Sequence, residues 1–337
     1  MANASSPTNR RVVLASRPTK VAGPENFRIE DAAVPVPGAD EVLVRHLWLS
    51  LDPYMRGRMN DARSYAAPQK LDEVMIGGTV GEVVASNNPK FAKGDHVVGM
   101  GGWQLFSISK GRDIQKVAVA GLPLQAWLGP VGMPGVTAWY GVNRIIAPKQ
   151  GETLVVSAAT GAVGTVVGHL AKKAGARAVG IAGGPEKCSF AVKELGFDAC
   201  IDHRAADFAE AFKKALPNGI DGVFENVGGL PLQLCMRRLN PFSRVAICGL
   251  VASRYDGTAS SIPDISPMLS MRAKMEGFIV SEHMEVWPEA LRELAADIAS
   301  GKLKYRETIA DGLDAAPAAF FGMLRGENFG KQLVRLG

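Results

Sequence analysis

The spacing of hydrophobic and polar positions changes near the middle of this chain. Up to about residue 128, short β-branched runs alternate with turns rich in Gly, Pro and Asn, which predicts a compact, barrel-like β domain. After residue 129, short apolar runs alternate with longer amphipathic segments, which predicts parallel strands with helices between them. Strands of the first part are predicted at residues 11–15, 41–45, 78–84 and 95–99.

The second part contains six predicted strands separated by helices. This alternation favours a doubly wound parallel sheet with helices on both faces, a Rossmann domain. The segment from about residue 303 returns to mixed structure, with a final strand predicted at residues 332–335, and is expected to complete the first domain. The fold class is therefore α/β, with a β-rich domain over 1–130 and 303–337 and a Rossmann domain over 131–302. The six strands are predicted at residues 153–157, 178–182, 199–202, 221–225, 244–248 and 274–280, and helices at 135–142, 166–173, 186–195, 206–215, 230–239, 286–299 and 315–324.

A turn of small residues follows the strand at residues 153–157. It runs Ala-Ala-Thr-Gly-Ala-Val-Gly over residues 158–164, and a helical pattern follows it directly. Strand, turn and helix in this order open a dinucleotide-binding unit, because free N–H groups at the helix start favour a pyrophosphate. Ala159 stands where the first glycine of G-x-G-x-x-G usually lies, so the turn alone is equally typical of a tight packing joint.

The next predicted strand ends in the sequence Gly-Gly-Pro-Glu-Lys over residues 183–187. An NAD-binding unit places an acidic residue at this point, on the 2′-hydroxyl of the ribose. Positions 182–184 carry no Asp or Glu, and Lys187 follows them. A carboxylate would repel a 2′-phosphate, whereas glycines and a lysine accept one. Lys187 alone also suits a solvated first turn of a helix, but with the acid missing the sequence predicts NADPH rather than NADH.

Composition limits the possible partners and compartment. The 337 residues are 47% hydrophobic and 21% charged, and no run approaches the roughly eighteen apolar residues of a membrane helix. The net charge of +5 is spread in pairs such as Lys172 and Lys173, so no nucleic-acid partner is expected. No signal-peptide pattern opens the chain, and the four cysteines form no C-x-x-C pair, so a reduced, cytoplasmic protein is expected.

Four short strings, spread over nearly the whole chain, point to one enzyme superfamily. With the β domain, the Rossmann turn and the returning C-terminal segment, the chain resembles the zinc-independent medium-chain dehydrogenase/reductases. Within them it is most similar to the prostaglandin, alkenal and curcumin reductases, and residues 183–188 and 201–203 resemble the bacterial curcumin-reductase-like branch. The resemblance implies a GroES-like first domain and an NADPH-binding Rossmann domain. The strings are LDPYMR at 51–56, GAVG at 161–164, ENVGG at 225–229 and NFGK at 328–331.

The resemblance also implies which residues bind the cofactor. Residues 161–164 would hold the pyrophosphate and Lys187 the 2′-phosphate, with His203 where many relatives carry a tyrosine. Asn226 and its turn would close over the nicotinamide ribose, and Cys248, Gly249 and residues 278–280 would line the nicotinamide pocket. Asn328 would reach back from the C-terminal segment, although Asn-x-Gly is also a common turn. The whole set is Gly161, Ala162, Val163, Gly164, Gly183, Lys187, His203, Asn226, Cys248, Gly249, Phe278, Val280 and Asn328.

No metal is expected from the residues of the first domain. Zinc alcohol dehydrogenases of this superfamily need a Cys and a Gly-His-Glu string there, since a catalytic zinc takes three protein ligands. The first domain contains no cysteine, and the matching region reads Gly-Gly-Thr-Val over 77–80. His46 and His96 have no partner ligands and are better explained as barrel or turn residues.

Without a Lewis acid, the predicted chemistry is hydride donation from NADPH to the β-carbon of an α,β-unsaturated carbonyl. Such a reaction needs a hydrogen-bond donor at the carbonyl oxygen and a proton for the α-carbon. A phenol donates without carrying charge and packs on a planar substrate, so Tyr54, Tyr65 and Tyr255 are the candidate catalytic residues.

Two alternatives share the predicted fold. One is an NADPH-linked quinone reductase, and the other is a protein that binds NADPH without catalysis. In each case a homodimer is expected, because the sixth strand, at residues 274–280, is an apolar edge strand that a second copy would cover.

Overall fold

The computed structural model describes residues 8–19, 21–117, 121–254 and 264–337, in two compact units. The first unit ends at Leu128, and the chain returns to it at Thr308. Within this C-terminal segment, Phe329–Lys331 belongs to the second unit. There the N–H of Lys331 donates to the carbonyl of Arg306 at 2.9 Å. The units are Met1–Leu128 with Thr308–Asn328 and Gln332–Gly337, and Gly129–Glu307 with Phe329–Lys331.

Strands and helices follow one another through both units. The strands are β1 (Thr8–Leu14), β2 (Phe27–Ala33), β3 (Val42–Ser50), β4 (Thr79–Ser86), β5 (His96–Gly99), β6 (Phe106–Ser109), β7 (Ile114–Lys116), β8 (Thr153–Ser157), β9 (Arg177–Ala182), β10 (Ala199–Asp202), β11 (Ile220–Glu225), β12 (Leu239–Ile247), β13 (Lys274–Gly277), β14 (Glu307–Asp311) and β15 (Lys331–Arg335). The helices are α1 (Tyr54–Arg58), α2 (Met133–Tyr140), α3 (Gly164–Lys173), α4 (Pro185–Lys193), α5 (Phe208–Ala215), α6 (Gly229–Met236), α7 (Val251–Arg254), α8 (Ser266–Ser270), α9 (Trp287–Ala299) and α10 (Ala316–Leu324).

The first unit is built on a seven-stranded sheet with the order β14-β15-β3-β4-β5-β7, and β6 pairs with β3. A separate hairpin joins β1 to β2. An aromatic cluster forms part of the core: Phe27 stacks on Trp103 with ring centroids 5.2 Å apart, and Phe320 of α10 meets Trp103 edge-on at 5.6 Å. The C-terminal segment therefore contributes helix α10 to the core of the first unit.

The second unit is a parallel sheet with the order β10-β9-β8-β11-β12-β13. Numbered along the chain these strands run 3-2-1-4-5-6, the order of dinucleotide-binding sheets, with its reversal between β8 and β11. Strand β8 shows that both faces are covered: Leu154 and Val156 pack into one buried cluster, and Val155 into another. The predicted Rossmann architecture is thus confirmed, and the fold brings six strand ends to one edge.

Several predicted elements need correction. The sixth strand ends at Gly277, not at residue 280, because Val280 already begins a 3₁₀ turn (Val280–Glu282). Helix α6 ends at Met236, and Leu239 opens a strand rather than closing a helix. Strands missing from the prediction are β2, β6, β7 and β14, the last three of which are five residues long or shorter.

Candidate cofactor site and active site

Most predicted cofactor residues lie where parallel strands of the second unit end. In open α/β sheets, ligands bind outside the carboxyl ends of the strands, at the point where strand order reverses. The sequence prediction chose these residues without knowing the strand order, and the sheet places them along one edge. Residues 161–164 follow β8, Gly183 and Lys187 follow β9, His203 follows β10, Asn226 follows β11, Cys248 and Gly249 follow β12, and Phe278 and Val280 follow β13.

The turn after β8 brings helix α3 very close to the strand. Ala158 adopts a left-handed conformation with φ of +51°, and the N–H of Gly161 donates to its carbonyl at 2.9 Å. A Cβ on Gly164 would lie 2.3 Å from the carbonyl oxygen of Ala158, so only glycine fits there. The first N–H groups of a helix have no intrahelical acceptor, so this tight turn aims donors and the helix dipole at an approaching pyrophosphate.

Three cationic or imidazole side chains lie beside the loop after β9. A Cβ on Gly183 would lie 2.9 Å from Nε of Arg204 and 3.0 Å from Nε2 of His203. Partial burial lowers the pKa of Lys187, and the charge of Arg204 lowers it further. The pKa of His203 is lowered first by burial and then by Arg204, with Lys187 adding to the effect. The positive charges of Arg204 and Lys187 thus lie close enough to His203 to disfavour a further positive charge there, an environment that suits an anion.

Asp202, at the end of β10, fixes the shape of this loop. Its Oδ1 accepts the N–H of Gly184 at 2.8 Å and the N–H of Arg204 at 2.9 Å. Burial raises the pKa of Asp202, but these backbone donors outweigh burial and the pKa is lowered overall. The carboxylate is therefore occupied by the backbone and holds Gly184 and Arg204 in place.

Arg204 is a candidate site residue that the sequence prediction missed. It follows His203 directly, one residue past a predicted site position. The available signal was its place just beyond the carboxyl end of a predicted strand, together with its positive charge. Arg204 lies next to Gly183 because β10 pairs with β9. The local sequence does not predict which strands pair, so this proximity could not be predicted.

The ends of β8 and β11 are joined by a buried hydrogen-bond network around Glu225. The hydroxyl of Ser157 donates to Oε1 of Glu225 at 2.7 Å, and the N–H of Asn226 donates to the same hydroxyl oxygen at 2.8 Å. The side-chain amide of Asn226 donates to the carbonyl of Ser157 at 2.8 Å. Just after the end of the neighbouring strand β12, the N–H groups of Cys248 and Gly249 both donate to the carbonyl of Glu225. Asn226, Cys248 and Gly249 are thus locked together at the strand ends.

Phe278 and Val280 lie deeper than expected for residues that line a pocket. Phe278 is 9% exposed, and its ring packs against Phe224 at 6.2 Å and Tyr140 at 5.4 Å between centroids. Val280 is 6% exposed and belongs to the same core cluster. Their side chains are part of the core that supports the sheet. If this segment contacts the cofactor, its backbone groups would make that contact.

Two of the three candidate catalytic tyrosines lie together in the first unit. Tyr54 opens helix α1, and Tyr65 lies on the loop that follows, with the guanidinium of Arg58 5.4 Å from the centre of its ring. Burial raises the pKa of Tyr54 well above its usual value, and the charges of Asp52 and Tyr65 raise it further. The Tyr54 phenol therefore stays protonated at all ordinary pH values and acts only as a neutral donor. Tyr255 lies outside the described residues.

Asn328 ends a segment of the first unit, and the next residue, Phe329, belongs to the second. Within the second unit, the ring of Phe329 meets Phe190 edge-on at 4.9 Å and lies 4.0 Å from the guanidinium of Arg306. Nζ of Lys187 lies 5.9 Å from the centre of the same ring. The ring of Phe329 therefore packs beside the candidate phosphate site of the second unit.

No metal cluster and no membrane helix are found in the described part of the chain. Among residues 8–19, 21–117, 121–254 and 264–337, no three His, Cys, Asp or Glu side chains are placed to hold a metal ion together. No helix among those residues has both the length and the apolar character needed to cross a membrane.

Comparison with known proteins gives matches over almost the whole length. Residues 10–117 match a family described as the N-terminal domain of oxidoreductase, and residues 162–296 match one described as zinc-binding dehydrogenase. The chain is 47% identical over 334 residues to the NADPH-dependent curcumin reductase of Escherichia coli (strain K12), covering 97% of each chain. It is 41% identical over 319 residues to prostaglandin reductase 1 of Rattus norvegicus, covering 92% of this chain and 94% of that one.

A solved structure shows the same architecture. The crystal structure of CurA in complex with NADPH from Vibrio vulnificus has a TM-score of 0.93 and 46% sequence identity, and the match covers 97% of this chain and 99% of that one.

Proposed function

Because the chain belongs to the zinc-independent medium-chain dehydrogenase/reductases, in the curcumin-reductase-like group, we propose that it reduces the carbon–carbon double bond of α,β-unsaturated ketones and aldehydes with NADPH. The observation that carries this proposal is the group of Lys187, His203 and Arg204 around Gly183. This group meets the 2′-phosphate that distinguishes NADPH from NADH. The relatives supply the class of reaction.

NADPH, when bound, supplies the hydride, and the residues of this chain hold it and the substrate. The turn at 161–164 and the α3 dipole hold the pyrophosphate. Asn226, Cys248 and Gly249 present a locked set of backbone and amide groups to the nicotinamide end. The close approach of Gly164 to Ala158 and the cationic group at Gly183 both fit this dinucleotide.

Tyr54 donates a hydrogen bond to the substrate's carbonyl oxygen. When hydride reaches the β-carbon, negative charge develops on that oxygen, and a donor already in place stabilises it without reorganisation. Tyr54 is suited to this role because its raised pKa keeps the proton on the phenol. Tyr65, near Tyr54 and partly exposed, is the second candidate, and Tyr255 remains a prediction outside the described residues.

The test is NADPH consumption with a panel of enones, alkenals and quinones, followed by product analysis. We expect planar conjugated enones to give the saturated carbonyl compound, and saturated ketones not to react. Tyr54→Phe should lower turnover about a hundredfold, the usual cost of a lost donor at a developing oxyanion. Its matched control is Tyr305→Phe, a half-buried tyrosine of the second unit. Allylic alcohol as the main product would contradict the proposal, and turnover of quinones alone would identify a quinone reductase instead.

A homodimer is also part of the proposal. Strand β13 is the edge of the parallel sheet, and helix α8 leads directly into it. Three large apolar side chains near this edge are strongly exposed: Phe242 at 64%, Ile265 at 60% and Leu269 at 85%. Phe242 also adopts a left-handed φ of +65°, a strained conformation for a bulky residue, with the guanidinium of Arg272 4.6 Å from its ring centre. A second copy seated on this edge would cover these side chains.

We further propose a cytoplasmic location. All four cysteines of the chain are free thiols, which suits a reducing compartment. Cell fractionation with detection of the protein in the soluble fraction tests this, and recovery from an oxidising compartment would contradict it.

A further inference from the structure

Glu225 is a carboxyl group with no exposed surface at the end of strand β11. Its Oε1 accepts three hydrogen bonds, from the hydroxyl of Ser157 at 2.7 Å, the N–H of Val227 at 2.5 Å and the N–H of Gly228 at 2.8 Å. Its Oε2 is buried without a hydrogen-bond partner among the residues that the structure describes. The hydrogen bonds of this side chain to the described residues are therefore all made by one oxygen.

The three donors come from two separate loops. Ser157 ends β8, immediately before the turn that holds the pyrophosphate, whereas Val227 and Gly228 belong to the turn after β11. Strands β8 and β11 are neighbours at the place where strand order reverses. Glu225 thus ties together the two loops that border the ligand crevice of such a sheet.

The turn after β11 depends on this acceptor. Gly228 and Gly229 both have left-handed backbones, with φ of +81° and +60°, so the chain folds back sharply over Glu225. The same hydroxyl that donates to Glu225 accepts the N–H of Asn226, which fixes the start of the turn. If Oε1 were removed, the N–H groups of Val227 and Gly228 and the hydroxyl of Ser157 would each lose their acceptor.

Stability alone does not explain a carboxyl group here. No positively charged side chain accompanies it in the contacts described above, and burial raises its pKa despite the three donors. The carboxyl also raises the pKa of the buried Cys235 and Cys248 thiols, after the effect of burial itself. A buried, unpaired acid costs folding free energy, so its benefit must lie in the geometry that it imposes.

We propose that Glu225 is a positioning residue whose Oε1 holds residues 226–229 in the shape that receives the nicotinamide end of NADPH. This inference rests on the assignment of Asn226 to the cofactor site in the proposed function. Glu225 does not touch the cofactor and acts through the turn.

The experiment is NADPH titration of purified variants without substrate, together with thermal unfolding of each variant. Glu225→Leu keeps the volume and removes the acceptor, and Glu225→Gln keeps an acceptor oxygen in an uncharged side chain. Ser157→Ala breaks the bridge from the other side. The matched control is Ser243→Ala: Ser243 is equally buried in the same sheet and donates to the carbonyl of Ile220 at 2.7 Å, at the amino end of β11 and away from the crevice.

Glu225→Leu should raise the Kd for NADPH roughly tenfold or more, because the turn loses the hydrogen bonds that preorganise it and part of the binding free energy must then be used to order it. The Kd of Glu225→Gln for NADPH should stay within about threefold of the parent value. The Kd of Ser157→Ala should lie between those of Glu225→Gln and Glu225→Leu. Ser243→Ala should lower the unfolding temperature without changing the Kd. A Glu225→Leu protein that unfolds leaves Glu225→Gln and Ser157→Ala to decide.

Unchanged NADPH affinity in Ser157→Ala and in folded Glu225→Leu would overturn the inference, and so would a Glu225→Gln variant as weak as Glu225→Leu. Because the titration contains no substrate, its result is independent of the proposed reaction. If the protein reduces no enone but its variants show this pattern of Kd values, the proposed reaction is refuted and the proposed role of Glu225 is supported.

Discussion

At the scale of single residues, His46 is an imidazole enclosed by the first unit. It is 3% exposed; its Nε2 lies 2.8 Å from the hydroxyl of Ser107, and its Nδ1 is buried with no hydrogen-bond partner in the described part of the chain. Burial lowers the pKa of His46 to about 4. A Cβ on Gly101 would lie 2.2 Å from the ring, so the site has no room to rearrange around a charged imidazole.

We predict that His46 makes the fold sensitive to mild acid. A histidine of the unfolded chain takes up its proton near pH 6.5, and folded His46 does so only near pH 4. Between about pH 4 and 6.5, the unfolded state therefore binds more protons than the folded state. The free energy of unfolding keeps its full value above about pH 6.5 and falls below it by up to roughly 1.4 kcal/mol per pH unit. Urea unfolding of the parent and of His46→Gln at pH 7.5 and 5.5 measures this slope.

The matched control is His96→Gln, a change of an exposed histidine on β5. We expect the parent and His96→Gln to lose stability in parallel on acidification, and His46→Gln to lose clearly less. Equal losses in all three proteins would show that His46 titrates normally.

A second prediction concerns the discrimination between NADPH and NADH. Lys187→Ala and Arg204→Ala should each weaken NADPH binding by roughly 1.5–3 kcal/mol, the range for hydrogen bonds to charged groups, because each removes a cation from the 2′-phosphate. NADH lacks that phosphate, so its affinity should hardly change. Titrations with both cofactors test this, with Lys193→Ala at the far end of α4 as the control. Equal loss for NADPH and NADH would remove Lys187 and Arg204 from the phosphate site.

Sequence reasoning identified the candidate residues that stand out in the local pattern and missed those that only the fold brings to the candidate site. Gly183 and Lys187 stand out because a strand ends there without an acid. Arg204 reaches Gly183 only because β10 pairs with β9. Glu225 was recognised as part of a motif string, but its burial and its bond to Ser157 join residues 68 positions apart. Such contacts follow from strand order, which the sequence does not display.

At the scale of elements, the long periodic segments were predictable and the short antiparallel strands were not. Strands β8 and β10 were predicted with the bounds that they have. Strand β8 was recognisable because a buried parallel strand is a continuous apolar run between helices. Strand β7 has three residues and β6 has four, too few to show alternation against the surrounding turns. The sixth strand was predicted three residues too long because Phe278 and Val280 are apolar, although they are buried as part of the core beyond the strand.

Helices α3 and α9 are joined by a buried acid. Asp297 of α9 lies 2.8 Å from Nε2 of His169 and accepts a hydrogen bond from Lys173 at 2.7 Å, both on α3, and it is 6% exposed. Burial raises the pKa of Asp297, but Lys173 and His169 outweigh burial and the pKa is lowered. The carboxylate therefore stabilises the fold in its charged form.

We predict that Asp297→Asn destabilises the protein by roughly 1.5–3 kcal/mol at pH 7, the range for hydrogen bonds to charged groups, because Asp297 is buried while its partner Lys173 is 43% exposed. A depressed pKa means that this stabilisation is complete above the unfolded value of roughly 3.9 and is lost as pH falls through the lower folded value. The difference between parent and variant in urea unfolding should thus shrink from pH 7 to pH 3.5. Glu194→Gln, which breaks the exposed pair with Lys304, should cost less than about 1 kcal/mol. A difference that does not change with pH would show that the Asp297 charge is not involved.

At the scale of the whole molecule, the fold class followed from the change of period along the chain, because helix and strand spacing are visible locally. The strand order 3-2-1-4-5-6 did not follow from it, and that order is what brings the separate loops to one edge. The assignment of residues 329–331 to the second unit also depends on tertiary contacts, among them the Arg306 carbonyl that lies 1.9 Å from a Cβ built on Gly330. The local sequence predicts the individual strands and helices, whereas tertiary packing determines which of them lie next to one another.

The last prediction concerns assembly through the β13 edge. An edge strand beside exposed apolar side chains is an aggregation hazard unless it is covered, and pairing across a two-fold axis covers it while extending the sheet. Light scattering at micromolar concentration should give twice the chain mass. Leu269→Asp would place a charge in the proposed interface, where it loses its water, and should shift the protein to monomer. Val36→Asp is the matched control, because Val36 of the first unit is 87% exposed and Leu269 is 85% exposed. A parent protein that is monomeric, or a Leu269→Asp variant that stays dimeric, would show that this edge is not the interface.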